Sequence, residues 1–208
     1  MKMKNIKLKL LMVASVLSLV ACSFAPVKQR PTVSYMIYDT AATESVPVCN
    51  NTYHSQKVIY ISPMRTNVPY DTTKMFYSSS KYELNTYSYS QWAALPSDLL
   101  TQAVTKKILM ACSFKNIATS LAIADANYRL VSMLVSLRQD VNQDDNTASV
   151  HMVIASELID LENNKVISSS IFNQRVPSAV GPAGLVDGVN QLTNKYDAEL
   201  IVWLQQNT

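Results

Sequence analysis

The chain has 208 residues, 48% of them hydrophobic and 16% charged, with a formal net charge of +3. That length fits one domain with a substantial core. Its three glycines all fall within residues 181–188, which excludes a glycine-rich nucleotide loop anywhere else. The charge excludes little by itself, because it rests on Lys2, Lys4, Lys7 and Lys9; without these four, 14 basic residues face 15 acidic ones and no basic patch for nucleic acid remains.

Met1 to Lys9 carries those lysines and no acid, and Leu10 to Ala21 is an unbroken run of apolar and small residues. This is the layout of a secretory signal, and a run of about 12 residues falls short of the ~20 that a membrane-spanning helix needs. Leu19-Val20-Ala21-Cys22 matches the bacterial lipobox. The sequence therefore predicts a lipoprotein signal peptide over 1–21, with Cys22 carrying a diacylglyceryl thioether and an acylated amino group. The competing reading is an ordinary signal cut elsewhere, with Cys22 incidental. Two acyl chains suffice for stable anchoring. Ser23 stands where an aspartate would resemble an inner-membrane retention signal, so the periplasmic face of the outer membrane is the expected location.

Residues 22–32 contain Pro26 and Pro31 and no periodicity, and read as a lipidated tether ahead of a single periplasmic domain over 33–208. Val33 to Tyr38 is a first strand, Asp39 to Gln56 a polar loop, and Val58 to Ser62 a second strand ended by Pro63. Lys74 to Tyr89 reads as two short strands turning at "SSSK". Trp92 to Cys112 changes period: Trp92, Leu95, Leu99, Val104, Ile108 and Cys112 make the stripe of a core-facing helix, with Pro96 in its first turns. A short strand over Phe114 to Ala118 follows.

Tyr128 to Val141 alternates, and the simplest register places Val131, Met133, Val135 and Leu137 on one face with Ser132 and Ser136 on the other. "NQDDNT" and "ENNK" are turn signals that join this strand to Ala148–Leu161 and then Val166–Val176 as an antiparallel meander. Leu185, Val189, Leu192, Tyr196, Leu200 and Trp203 step by threes and fours, giving a closing amphipathic helix of about 20 residues. The predicted fold is α+β: an antiparallel sheet, meander plus N-terminal strands, packed against two long amphipathic helices.

Once the signal is set aside, Cys49 and Cys112 are the remaining cysteines, in a compartment where disulfides persist. Spacing leaves open whether they are bridged or whether Cys112 is a small buried residue. Neither His54 nor His151 has partners at metal-ligand spacing, no cofactor or metal site is predicted, and no serine sits in a Gly-x-Ser-x-Gly elbow. An envelope hydrolase would require one of those histidines within hydrogen-bond reach of a serine or carboxylate. Tyr77, Tyr82, Tyr87 and Tyr89, with Trp92 just after, form an aromatic surplus that suits either a partner surface or core packing beneath a helix. Tyr87, Tyr89 and Trp92 are its candidate contact residues.

The segment "YELNTYSYSQWAALPSDLLTQAVTKKIL" resembles the signature region of the ABC-type transport auxiliary lipoproteins, the PqiC-like family. The order of lipobox, early strand, Val58 to Pro63, Tyr87, Trp92, Pro96, Leu99 and Leu100, then the Phe114 strand, the "YRLVSMLVSLRQD" strand and the closing helix keeps to that family's plan. The loop at Asp39 to Gln56, with Cys49, departs from it. The resemblance implies a non-enzymatic periplasmic adaptor. Such an adaptor partners a mammalian-cell-entry-type protein of an ABC transporter in moving lipid or solvent across the envelope, with possible ring-like self-association. The alternative is a structural or assembly lipoprotein of a secretion, pilus or Tol-like machine.

Overall fold

A computed structural model of the chain describes residues 30–38, 49–50, 52–118, 120, 126–142, 144 and 146–208. Residues 32–208 form a single compact unit. In chain order its strands are β1 (Val33–Tyr35), β2 (Ser55–Ile61), β3 (Arg65–Thr66), β4 (Lys74–Ser78) and β5 (Asn85–Trp92). Helix α1 (Pro96–Met110) follows, then β6 (Phe114–Ala118), β7 (Tyr128–Asn142), β8 (Thr147–Asp160), β9 (Lys165–Ser178) and helix α2 (Pro182–Asn207). The architecture is α+β, with one mixed sheet and two helices.

β7 is the spine of that sheet. Along one edge it pairs antiparallel with β8 from Tyr128↔Asp160 to Asn142↔Thr147, and β8 pairs in turn with β9. Along the other edge three short strands dock in sequence order, all parallel to it: β2 at Ile59↔Tyr128, β3 at Arg65↔Met133 and β4 at Tyr77↔Gln139. β6 adds parallel to β2, β5 antiparallel to β4, and β1 parallel to β5. The expectation of an antiparallel sheet holds for the β4–β5 pair and fails where β1 meets β5, where β6 meets β2, and where β2, β3 and β4 dock on β7. Short turns dictate antiparallel neighbours, and no short turn connects β2, β3 or β4 to β7.

The face assignment of β7 is also corrected. Leu134 lies opposite Ile154 and Ser136 opposite Val153, so Val135 is an extra residue, a bulge that inverts the alternation beyond it. Before the bulge Leu130, Ser132 and Leu134 face the core; beyond it Leu137 and Gln139 do. Val131 and Met133 lie on the opposite face. Without the bulge, Leu137 would point away from the helices.

The core-facing residues Val150, Met152, Ile154 and Leu158 of β8, with Phe172 and Val176 of β9, meet Leu185, Val189, Leu192, Tyr196, Leu200 and Leu204 of α2. Full burial of each such side chain stabilises by about 1.5–3 kcal/mol. The stripe ends on Leu204 and not Trp203, whose indole lies beside it and donates from Nε1 to Ser168 Oγ at 2.9 Å. Ser132 belongs inside because it has partners there. Its hydroxyl is 3.0 Å from Ser156 Oγ, directly opposite on β8, and both hydroxyls reach Tyr196 Oη of α2, at 3.3 and 2.9 Å. Burial pushes the Tyr196 phenol up to about 12, so it stays neutral.

α1 starts at Pro96, where a missing N–H costs nothing, and buries Leu99, Leu100, Ala103, Val104 and Ile108 on one face. Trp92, expected to open this helix, is instead the last residue of β5. Its N–H donates to the Thr73 carbonyl at 2.7 Å, and β1 pairs beside it at Tyr35.

Gly188 allows α2 to lie directly on β8, since a Cβ there would collide with Val150 Cγ2 and stand 2.8 Å from Val150 Cβ. A β-branched neighbour in mid-sheet cannot swing aside. Gly188→Ala is therefore expected to destabilise the full chain by about 1–3 kcal/mol, read as a lower urea midpoint, despite the higher helix propensity of alanine.

Candidate interaction surface

Cys49 and Cys112 form a disulfide, with Cα atoms 5.8 Å apart and a sequence separation of 63. Cys112 ends the turn after α1 at φ +50°. The His54 N–H donates to the Cys112 carbonyl and the Ser55 N–H to that of Ser113, each at 3.0 Å. The bridge and these bonds fasten the start of β2 to the α1–β6 turn. His54 Nε2 donates to the Gln205 carbonyl at 2.9 Å, which brings the last turns of α2 to the same corner.

The three aromatic candidates do not share a surface. Trp92 is 2% exposed and belongs to the core, because pairing with β1 places its side chain among the buried apolar residues. Tyr87 is half-buried, its ring stacked 4.6 Å from that of Tyr77 and tilted by 31°. Tyr89 is 52% exposed and is the one candidate of the three that faces solvent.

Tyr87 leads to a residue that sequence reasoning missed. Its hydroxyl donates at 2.5 Å to Oε1 of Gln139, which is fully buried. The same oxygen accepts the Gly181 N–H at 3.1 Å, while Gln139 Nε2 donates to Ser178 Oγ and the Ala179 carbonyl at 2.9 and 2.7 Å. Every donor and acceptor of this amide is used, as burial requires. Burial, with the neighbouring Tyr77 adding to it, pushes the Tyr87 phenol up to about 12.

Across β7 from this amide lies a second polar group. Arg138 donates from Nε to Asp140 Oδ1 at 2.7 Å and from Nη1 to Ser136 Oγ at 3.0 Å, and Arg175 of β9 donates to Asp140 Oδ2. Burial alone would raise the Asp140 carboxyl; the bonds from Arg175 and Arg138 outweigh that and hold it below the usual carboxylate range. His151 Nε2 donates to Asn173 Oδ1 at 2.8 Å while Arg175 Nη2 faces Nδ1 at 3.3 Å, an arrangement that fits the neutral ring. Desolvation lowers the His151 pKa, and the Arg175 charge works in the same direction. The signal for this cluster was present as Arg138 and Asp140, opposite charges two apart on one strand face.

Two hollows flank the cluster. One, of about 360 Å³, is lined by hydroxyl-bearing residues including Ser78, Ser80, Thr147 and Ser149, with Asp140. The other, of about 320 Å³, is lined by Tyr70, Lys81, Tyr82 and Arg138 among others, and shares Ser78 and Ser80 with the first.

Among the described residues neither histidine bonds a serine or carboxylate oxygen, and no group of three or more His, Cys, Asp or Glu side chains could hold a metal ion. No described helix is long and apolar enough to cross a membrane. Cys22, the expected lipidation site, lies outside the described residues.

A family model described as the ABC-type transport auxiliary lipoprotein component matches residues 40–200. Among solved structures, the chain is similar to protein XCC0632 from Xanthomonas campestris, of the family model DUF330. The two are 14% identical with a TM-score of 0.65, over 86% of this chain and 95% of that one. An uncharacterized protein aligns at 10% identity and TM-score 0.60, over 84% and 99% of the respective chains. The hypothetical protein CT253 from Chlamydia trachomatis aligns at 8% identity and TM-score 0.51, over 73% and 97%. At these identities the structures establish the shared fold. No curated protein matches the chain.

Two outcomes follow from the geometry. A Cys49→Ser/Cys112→Ser chain is expected to lose roughly 4 kcal/mol of unfolding free energy, measured by urea titration against the oxidised parent. Asp140 has a lower pKa folded than unfolded, so its contribution is complete above the unfolded value of about 3.9 and fades as pH falls through the folded one. The stability gap between the parent and Asp140→Asn should therefore be widest above about pH 5 and narrow steadily towards pH 2, as unfolding titrations at each pH would show.

Proposed function

We propose that this chain, which belongs to the family of ABC-type transport auxiliary lipoproteins, is a non-catalytic adaptor. It is anchored through Cys22 to the periplasmic face of the outer membrane and serves an ABC-type system that moves lipid or solvent through the envelope. The observation that carries this reading is the family match over residues 40–200, which spans every element from β2 to most of α2. The lipobox ahead of it supports the anchor, since a thioether-linked diacylglyceryl group and a third chain would hold the domain on its membrane. The partner that the reading implies is a mammalian-cell-entry-type protein of the inner membrane. The domain would meet it through polar and aromatic side chains such as Tyr89 and Tyr82, which are exposed on β5 and on the turn before it.

The reading supports a role of position. An adaptor bridges two membranes by being held to one and binding a protein of the other, and neither act needs a nucleophile or a metal. In fractionated cells, Cys22→Ala should move the protein from the membrane to the soluble periplasm and weaken the envelope barrier to detergents. Affinity capture of the wild type should recover a mammalian-cell-entry-type protein or its ATPase. A Cys22→Ala protein that still fractionates with the outer membrane would refute the anchoring claim, one that is soluble and fully functional would refute the need for the anchor, and capture of a secretion or pilus subunit alone would refute the transport claim.

A further inference from the structure

The second hollow, of about 320 Å³, lies between the β4–β5 turn and β7, and its volume is in the range of small-ligand sites. Arg138 lines it with a guanidinium already fixed by Asp140 and Ser136. These contacts commit Nε–H and one Nη1–H, so a bound anion would meet a cation whose rotamer entropy is already spent. Lys81 lines the same hollow from the turn, its ammonium 5.5 Å from the Tyr82 ring centroid. Asp140 does not cancel this charge, because Arg175 neutralises it from the far side. Glu83 is the acid that lines this hollow, and it accepts a hydrogen bond from Ser79 Oγ at 3.1 Å. Ser80 lines the hollow as well, and the Tyr70 hydroxyl, 3.2 Å from Ser136 Oγ and bonded to Arg138, helps to hold the guanidinium in place.

We propose that this hollow binds a phosphate group. A planar guanidinium on β7, a mobile ammonium on the turn and the Ser80 hydroxyl suit the tetrahedrally disposed oxygens of a phosphate, two of them free in a phosphodiester, better than the two coplanar oxygens of a carboxylate. The mouth is apolar on one side: Tyr82 is 90% exposed and Leu84 38%. That surface would accept the glycerol and first methylenes of a phospholipid, while a free phosphate ion would use only the floor.

The inference deepens the transport reading by naming a ligand, and rests on it only for the choice of lipid over free ion. Its test measures binding to the purified full-length protein and is independent of anchoring or partner capture, so either idea can fail alone. The protein in dodecyl maltoside is titrated calorimetrically with dihexanoyl phosphatidylglycerol, dihexanoyl phosphatidylcholine, a diacylglycerol of the same chain length, inorganic phosphate and a hexaglutamate peptide. The expected result is binding of the phosphate-bearing lipids and not of the diacylglycerol, weakened at least tenfold by Lys81→Gln and by Arg138→Gln. Lys81 is on an exposed turn, so its substitution keeps the test valid if Arg138→Gln disturbs the fold. Inorganic phosphate binding as tightly as the lipids would support the phosphate site and assign it to the free ion. Absence of phosphate-dependent binding, preference for hexaglutamate, or binding indifferent to Lys81→Gln would overturn the proposal.

Discussion

Pairing of β7 on both edges is the constraint from which the rest of the sheet follows. One edge carries β8 along its whole length, and the other is divided among β2, β3 and β4, which dock in the order in which the chain makes them. A one-residue slip of β7 would turn every side chain of the strand to the wrong face. The structure makes one such shift deliberately, at Val135. Before it, Leu130 and Leu134 meet the core, and after it Leu137 and Gln139 do, so a strand of 15 residues serves two different sets of neighbours.

α2 is located on this sheet by polar groups as well as by apolar burial. Near its start Gln139 holds the Gly181 N–H, and midway Tyr196 bonds the Ser132 and Ser156 pair. Apolar packing is non-directional and would tolerate some sliding of a helix along its stripe. Two buried hydrogen-bonding groups, each requiring a particular partner, are less forgiving, since an unsatisfied buried group costs about 1–3 kcal/mol. Gly188 adds a steric condition between them, as the one place where α2 backbone rests against Val150. The registry of the helix is thereby defined at three points along its length.

Much of this was legible in sequence wherever local pattern decides. The β6 strand, the turn before β9 and the closing helix follow from alternation, from "ENNK" and from a three-and-four spacing, none of which needs knowledge of distant partners. Pairing direction was not legible for β2, β3 and β4, because more than 40 residues separate each from β7 and no turn geometry constrains them. The bulge was hidden for a related reason: Val135 looks like one more member of an apolar alternation until β8 is laid beside it. Trp92 was read as a helix opener because its spacing fits the stripe of α1, yet pairing with β1 claims it for the sheet. Ser132 was read on the face opposite the apolar residues, and nothing near Gln139 in sequence marks it as buried; the partners that satisfy them, Ser156 and Tyr196 for the one and Tyr87, Ser178, Ala179 and Gly181 for the other, are all distant in sequence. The Arg138–Asp140 pair was visible as charge pattern, but the contribution of Arg175 depends on strand register.

The edge position of β1 has a mechanical side. Residues 33–35 pair with β5 through three residues in parallel register, the Ala93 N–H donates to the Tyr35 carbonyl at 2.7 Å, and a few residues on the Tyr38 N–H donates to Asn190 Oδ1 at 2.8 Å. A pull delivered through residue 32 would therefore reach this short ladder before it reached the Trp92 core or the β7–β8 pairing. With the anchor proposed at Cys22, strain from a membrane in motion would be dissipated by peeling a three-residue strand at the rim, leaving the turns and the long strands undistorted.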